Sequence, residues 1–493
     1  MDTKTPAGRE GSLEAPTRHP VRWQEETFYD EQALAAEMAR VFDICHGCRR
    51  CFSLCNAFPH LFDAIDTGPT GELDGVEQKV RWEVVDHCYL CDMCYMTKCP
   101  YVPPHPWNVD FPHLMLRAKA VRFRREGAPA RDRILAATDK VGTIAGIPVI
   151  AQAVNALNRT TAGRRMLEST LGVHPNAPVP AYHSRTGRRR VARGVNPAQA
   201  HVAAAGTSGR VALFTTCYCN RNEPDIAEDL AAVFRHNGIP VRTVPRERCC
   251  GMPRLELGDL ASIDAARRAN VPVLAGLVDE GWDLVAPVPS CVLMFKQELP
   301  LLFPDDAQVQ KVRAAMFDPF EYLMRRHRAG LLRTDFSRPL GKVSYHVACH
   351  LRVQNLGLKT RDVLALIPGT QVEPIERCSG HDGTYGVKKK YRDISMKIGR
   401  PVFSRVAAAT ADHYSSDCPM AARQIESGVE AAGPHERIHA PAVEPGEDVG
   451  AFRVRVALAV AAIEAVITAG AQLVLLPRQR PVVGQGQPLI RPA

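Results

Sequence analysis

The first residues, Met1 to Pro20, lack an apolar core and mix charges with prolines. The sequence therefore predicts no secretory leader and a cytoplasmic protein whose thiols stay reduced and free to ligate. Also absent is any stripe of interleaved aromatic and basic side chains. The net charge of +9 over 493 residues is a modest excess that fits an acidic protein partner or an anionic membrane surface; it is weak evidence for nucleic acid, which the missing stripe discounts. The most apolar stretch of the first half, 134–157, is broken by Lys140, Gly142, Gly146 and Pro148. It is too interrupted for a bilayer span, and a core helix pair is expected ahead of an amphipathic segment resting on a membrane. Nor does a Gly-x-Gly-x2-Gly fingerprint open any strand–helix unit.

Cysteine, by contrast, is abundant, and sixteen cysteines in so long a chain read as ligands rather than as the staples of a small secreted fold. Eight lie in two runs. The first is Cys45-x2-Cys48-x2-Cys51-x3-Cys55; the second is Cys88-x2-Cys91-x2-Cys94-x4-Cys99, followed by Pro100. Three thiolates from one tight turn reach three corners of an iron–sulfur cube, and the fourth of each run crosses to the other cluster. On that pattern Cys45, Cys48, Cys51 and Cys99 hold one [4Fe–4S] centre, and Cys88, Cys91, Cys94 and Cys55 hold the other. Structural zinc is the alternative, although zinc needs only two cysteines per knuckle. Asn56 instead of proline after Cys55, and four residues instead of three before Cys99, depart from the simplest spacing.

Along the chain, residues 30–44 read as a helix with Leu34, Met38 and Val41 on one face, delivering the chain to Cys45. Residues 113–126 form a helix whose basic flank (Arg117, Lys119, Arg122, Arg124, Arg125) is either a solvated face or a docking surface. Residues 174–208 have linker composition, and the arginines at 188–190 read as solvated or as a contact for an acidic partner. From 209 onward strands and helices alternate, and one unit occurs twice. VALFTTC ends at Cys217, PVRTVP precedes Cys249-Cys250-Gly251, and LVAPVPS precedes Cys291. The second copy gives Cys349, then Cys378-Ser379-Gly380, then Cys418, at nearly the same spacing. Such alternation implies βαβ units with a parallel sheet in each half, the cysteines lying just after strands.

In the first copy Cys217, Cys249, Cys250 and Cys291 converge on one rim. Adjacent cysteines suit different irons of one cluster better than a single ion, so a further iron–sulfur cluster is expected there; zinc or a redox-active thiol set are the rivals. Gly251 lets the backbone approach closely, and Cys219 is a spare thiol. The second copy has Ser379 where Cys250 stands, so Cys349, Cys378 and Cys418 form an incomplete site. His350 and His381 could supply a fourth ligand or bind a substrate or proton.

With these motifs in view, the chain resembles the heterodisulfide reductase-related iron–sulfur subunits, among them the C subunit of anaerobic glycerol-3-phosphate dehydrogenase and the glycolate oxidase iron–sulfur subunit. The resemblance covers about residues 23 to 428. It rests on CHGCRRCFSLC (45–55), CYLCDMCYMTKCPYVPPHPWNVDFP (88–112), CCGMPRLELGD (249–259), PSC (289–291), ACHLR (348–352) and CSGHDGTYG (378–386). It implies an electron-transfer component of an oxidoreductase complex, borrowing its flavin from a flavoprotein dehydrogenase or serving another redox protein, and passing electrons to an acceptor such as membrane quinone. The B subunit of heterodisulfide reductase ends its motifs in Cys-x2-Cys; here Met294 and Ala421 stand at the last position, which weighs against the alternative of a catalytic reductase of a thiol or disulfide.

The expected fold is α+β with α/β: a helical ferredoxin-like 2[4Fe–4S] domain followed by two tandem βαβ Cys-Cys-Gly repeats. The boundaries are a disordered leader (1–22), the ferredoxin-type domain (23–112), a helical connector and linker (113–208), the first repeat (209–340), the second repeat (341–430) and a divergent tail (431–493). In the tail, residues 456–476 approach the ~20 residues of a bilayer span. Glu464 near the middle and Gln472 offset the apolar gain, so no span is expected. The location read from all this is cytoplasmic, with room for peripheral contact on the cytoplasmic face of the membrane.

Overall fold

The computed structural model describes residues 15–197, 201–336 and 339–432. The tail, with its expected absence of a span, lies outside the described residues, as does the leader up to residue 14.

The first unit is helical because its apolar residues recur at helical spacing. Helix Glu31–Cys48 is capped by Asp30, whose carboxylate accepts from the Gln32 and Ala33 N–H groups, and buries Leu34, Met38, Val41 and Phe42. It runs past residue 44, so Cys45 and Cys48 project from its last turn and Arg49 ends it in the left-handed region. Helices Ala57–Asp66 and Gln78–His87 pack on each other, and Phe111–Glu126 packs on the first helix. The Phe58 and Phe111 rings, 4.8 Å apart, sit where these helices meet. Phe111–Glu126 starts before residue 112, so the expected domain boundary falls within its first turn.

Four expectations need correction. Residues 15–22 are not a loose leader: the Thr17 N–H bonds the Pro103 carbonyl at 3.0 Å, the Val21 N–H bonds the Leu301 carbonyl at 2.8 Å, and Val21 is buried. The basic helix flank is neither simply solvated nor free for docking, since Arg124 and Arg125 are exposed in ion pairs with Glu26 and Glu31 while the other three are tied to the protein. Lys119 is buried and donates to the Glu256 carbonyl, Arg117 donates to the Phe28 carbonyl, and Arg122 pairs with Asp86. The stretch 174–208 is more than a linker. It contains helix Gly187–Arg193, packed on Pro224–His236, with Arg190 paired to Asp225 and Glu228. Finally, the apolar stretch does form a helix pair, Thr138–Ala145 and Pro148–Asn158, bent by 104°. It is no core pair, however, since Ile144, Ile147 and Val149 are 61%, 48% and 75% exposed.

The two repeats build two parallel sheets. Strands β1 (Val211–Leu213), β2 (Val241–Thr243), β3 (Asp283–Val285) and β4 (Met316–Phe317) lie in the order β2-β1-β3-β4. Strands β5 (Gly341–His346), β6 (Thr370–Ile375) and β7 (His413–Ser416) lie in the order β6-β5-β7. Every pairing is parallel, so each return needs a crossover. Pro224–His236 and Leu260–Asp279 serve the first repeat, and Lys359–Leu364 and Arg392–Ala408 the second. The central strand of each repeat is the one that precedes its first cysteine. β4 is an addition to the first repeat that the sequence pattern does not announce.

Candidate functional site

The cysteine runs lie where the helical unit turns. Arg49, Leu90 and Asp92, each between two cysteines of a run, have φ of +54°, +56° and +60°. Non-glycine residues hold that conformation only where their surroundings over-determine it. Here it folds successive thiols to one side.

The electrostatics show which sulfurs are neighbours. Burial first, then Cys51, Cys99 and Cys48, push the Cys45 thiol well up. Cys51 is pushed up to about 12 by burial and then by Cys99 and Cys48. Burial, and then Cys88, raises Cys55, while burial followed by Cys51, Cys88 and Cys55 raises Cys94. A small cavity is lined by Cys55, Cys88, Cys91 and Cys94 together, with Phe58 and Phe111 behind them. The structure thus brings Cys99 beside Cys45 and Cys51, and Cys55 beside Cys88, Cys91 and Cys94, with Cys51 and Cys94 neighbours between the two groups.

In the first repeat Cys217, Cys249, Cys250 and Cys291 line one rim of a cavity of about 920 Å³ between the repeats. Cys217 and Cys250 donate to the Cys249 sulfur, which holds Cys249 well below the usual thiol range, while its two donors are pushed well up. Thr138, from the bent helix pair, lies 3.3 Å from the Cys217 sulfur and 3.6 Å from that of Cys249. Thr216, just before Cys217, has φ +64°, a strained conformation at the entry to the site. Gly251 has φ +106°, which a side chain would resist, although a Cβ there would meet nothing closer than Met294 at 3.5 Å. Cys219 is fully buried.

The second repeat brings Cys349, Cys378 and Cys418 to the same cavity, with Ser379 buried in the place of Cys250. Its loop is tighter: Gly380 has φ +73°, and a Cβ there would stand 2.1 Å from the Ser395 carbonyl oxygen. The Gly380 N–H donates to the Cys378 sulfur at 3.3 Å. His350 and His381 line the cavity too. The His350 Nε2 and both His381 ring nitrogens are buried without hydrogen-bond partners among the described residues. His346 is structural, held between Ser416 Oγ and the Arg377 carbonyl at 2.9 and 3.0 Å.

Three contributors escape the sequence reading. Thr138 sits in a stretch read only for its hydrophobicity. Arg18 is the second: it forks to Asp92 at 2.7 and 2.9 Å and to Asp110 at 2.8 and 3.1 Å, with Glu298 at 3.6 Å. Asp382, the third, lies in the CSGHD segment and lines both the small thiol cavity and the large one. Only the last had a signal, a carboxylate four residues after Cys378.

The donor chemistry fits multi-iron groups. Buried thiols that raise one another cannot ionise together unless a positive core compensates them. Among the described residues no three His, Cys, Asp or Glu side chains are already placed to hold a single metal ion. The thiols instead surround shared spaces, which is the disposition that a cluster with a ligand at each corner needs.

A helical unit with two cysteine runs, joined to two parallel α/β units whose cysteines line one cavity, defines a protein of paired cysteine-rich domains. Comparison agrees: residues 211–296 and 343–425 match the cysteine-rich domain family, CCG, and the chain is related to the heterodisulfide reductase-type proteins that carry that domain. It is 28% identical over 326 residues to the C subunit of anaerobic glycerol-3-phosphate dehydrogenase from Escherichia coli K12, covering 65% of this chain and 78% of the relative. It is 26% identical over 230 residues to the B subunit of the fumarate reductase (CoM/CoB) from Methanothermobacter marburgensis, covering 45% and 43%. Against the D subunit of dihydromethanophenazine:CoB–CoM heterodisulfide reductase from Methanosarcina mazei it is 26% identical over 232 residues, covering 44% and 54%.

Proposed function

We propose that this protein is an iron–sulfur electron-transfer subunit that relays single electrons between a flavoprotein dehydrogenase, or another redox partner, and an acceptor such as membrane quinone. The observation that carries this reading is the continuity of the thiol groups. Cys94 feels the charge of Cys51, which links the first set to the second. Cys91 feels Cys349 and Cys378, which links the second set to the second repeat. Cys418 feels Cys291, which links that repeat to the first. No step of such a relay forms or breaks a covalent bond, so it needs neither an acid nor a base. The protein contributes ligands, burial and hydrogen bonds that set potentials.

In this reading Cys45, Cys48, Cys51 and Cys99 hold one [4Fe–4S] cluster, and Cys55, Cys88, Cys91 and Cys94 hold a second. Cys217, Cys249, Cys250 and Cys291 hold a further cluster. The buried Met294 and Ala421, at positions where a disulfide-cleaving site would want cysteine, weigh against a catalytic reductase.

Among the described residues no single helix is long and apolar enough to cross a membrane. Contact with a membrane would be peripheral, through the exposed apolar elbow at Ile144, Ile147 and Val149. The deciding experiment is anaerobic purification followed by iron, sulfide and zinc counts, with EPR before and after dithionite. Iron and sulfide in cluster ratio with new signals on reduction are expected; zinc without sulfide would overturn the reading.

A further inference from the structure

We propose that Asp382, a residue of the second repeat, is a positioning residue for the relay: its carboxylate sets the potential of the cluster held by Cys55, Cys88, Cys91 and Cys94. The inference rests on the electron-transfer reading above.

The carboxylate reaches the helical unit from almost three hundred residues away in sequence. It lines the same small cavity as those four cysteines, and it also lines the large cavity between the repeats. Its two oxygens lie 3.9 and 3.8 Å from the Cys378 sulfur. Its charge acts on Cys55, Cys88 and Cys91 on one side, and on Cys349 and Cys378 on the other. Among the described residues no other carboxylate lines both cavities: Asp92 borders only the small one and Glu256 only the large one.

Its position is fixed by its loop. Asp382 has φ +39° and Gly383 φ +57°, and a Cβ on Gly383 would stand 2.0 Å from the Glu256 carboxylate. The Tyr385 N–H closes the turn on the Asp382 carbonyl at 2.9 Å. The Tyr385 hydroxyl in turn lies 2.9 Å from His87 Nδ1, one residue before Cys88. The same segment therefore touches the end of the helix that delivers Cys88 and places a charge beside the thiols.

A negative charge beside a cluster opposes the addition of an electron, and net charge is one of the levers on cluster potential. A lower potential here drives one electron out of this cluster. A cluster held by Cys55, Cys88, Cys91 and Cys94 would give up one electron to the next centre, and the Asp382 carboxylate would favour that direction without exchanging a proton or a ligand. Placed at the contact between the helical unit and the repeats, Asp382 biases the step that crosses between them.

The test is an EPR-monitored redox titration of the full chain, with iron and sulfide counted in every sample. Asp382→Asn keeps the shape and removes the charge. The expected result is a positive shift in the midpoint of one cluster signal, with the other cubane signal and the iron content unchanged. Asp382→Glu, which keeps the charge, restores the wild-type value. Unmoved midpoints in Asp382→Asn with full iron would overturn the proposal. If Asp382→Asn loses iron, the Glu variant decides: full iron and the wild-type midpoint uphold a role for the charge, and iron loss there too makes the residue merely structural and overturns it. Wild-type protein without clusters would instead refute the electron-transfer reading itself, which the iron and sulfide counts reveal before any variant is made.

Discussion

Replacing Arg18 by alanine should weaken the whole helical unit although the residue lies far from any cysteine in sequence. Its guanidinium is 10% exposed and is shared between Asp92 and Glu298, each 4% exposed, and Asp110, 20% exposed. It also stacks 4.6 Å from the Tyr95 ring centre. Removing one partner of a buried pair costs ~3–5 kcal/mol, because the other charge stays buried and unpaired. His113 remains 3.3 Å from Asp110 and 3.4 Å from Glu298. Burial already holds Asp92 above the usual carboxylate range, with Arg18 opposing it, so Asp92 escapes part of the penalty by binding a proton. Both effects place the loss near the lower limit, about 3 kcal/mol, which corresponds to about a hundredfold change in an equilibrium constant. Asp92 lies between Cys91 and Cys94, so unfolding and cluster loss are coupled and irreversible. The assay is therefore the rate at which the iron–sulfur absorption bleaches in urea under anaerobic conditions. Arg18→Ala should bleach at least ten times faster than wild type. Arg18→Met combined with Asp92→Asn, which removes both charges, should recover much of the difference. Bleaching of Arg18→Ala at the wild-type rate would show that these contacts act as a surface pair and contribute nothing.

Four further outcomes are expected. Cys48→Ser or Cys91→Ser should each remove one cubane and lower stability, because ligation and folding are coupled; unchanged iron content and EPR spectra in either variant would refute the assignment. Cys250→Ala should abolish a third metal centre while Ser379→Ala leaves the metal content nearly unchanged, and equal losses from the two would contradict the inequality of the repeats. Gly380→Ala, whose Cβ meets the Ser395 carbonyl at 2.1 Å, should destabilise more than Gly251→Ala, whose Cβ has space; Gly251→Ala should lose only the ~1–2 kcal/mol of a left-handed alanine, and thermal melts of the two would show the order. Val149→Glu, at a position 75% exposed, should leave the melt unchanged but reduce sedimentation with anionic vesicles, and undiminished sedimentation would remove the elbow from the membrane contact.

What could be read from the sequence was whatever chemistry forces into local spacing. Three thiols that must reach one cluster from a single turn have to recur every third residue, so Cys45 to Cys51 and Cys88 to Cys94 announce themselves. Strands buried in a parallel sheet must be short and apolar, so VALFTT and VSYHVA mark the central strands of the repeats. The helical face of Leu34, Met38 and Val41 is legible for the same reason. The exposed elbow at Val149 was not, because a run of apolar residues looks alike whether it packs inward or faces out. Helix Gly187–Arg193 was hidden by its arginines, which suggested a solvated linker although Arg190 is paired with two carboxylates of a neighbouring helix.

Arg18 and Asp382 belong to a different class of omission, and they indicate how the parts are coupled. Each is a single charged residue, and although Asp382 stands four residues after Cys378, each also has partners far along the chain. Arg18 ties the start of the described chain to the second cysteine run and, through Glu298, to the first repeat. Asp382 ties the second repeat to the same run. The loop Cys88 to Cys94 is therefore gripped from both repeats and buries Cys88 and Cys94, whereas Cys45, Cys48 and Cys51 are each half-buried, with Arg49 between them paired to the exposed Asp66. If the clusters form as proposed, the set at Cys88 is the interior station and the set at Cys45 the one nearer the surface. A redox partner that exchanges electrons by direct contact would then meet the protein beside Cys48 and Cys51, because a long-range step to the interior set would bypass the shorter path that the outer cluster offers.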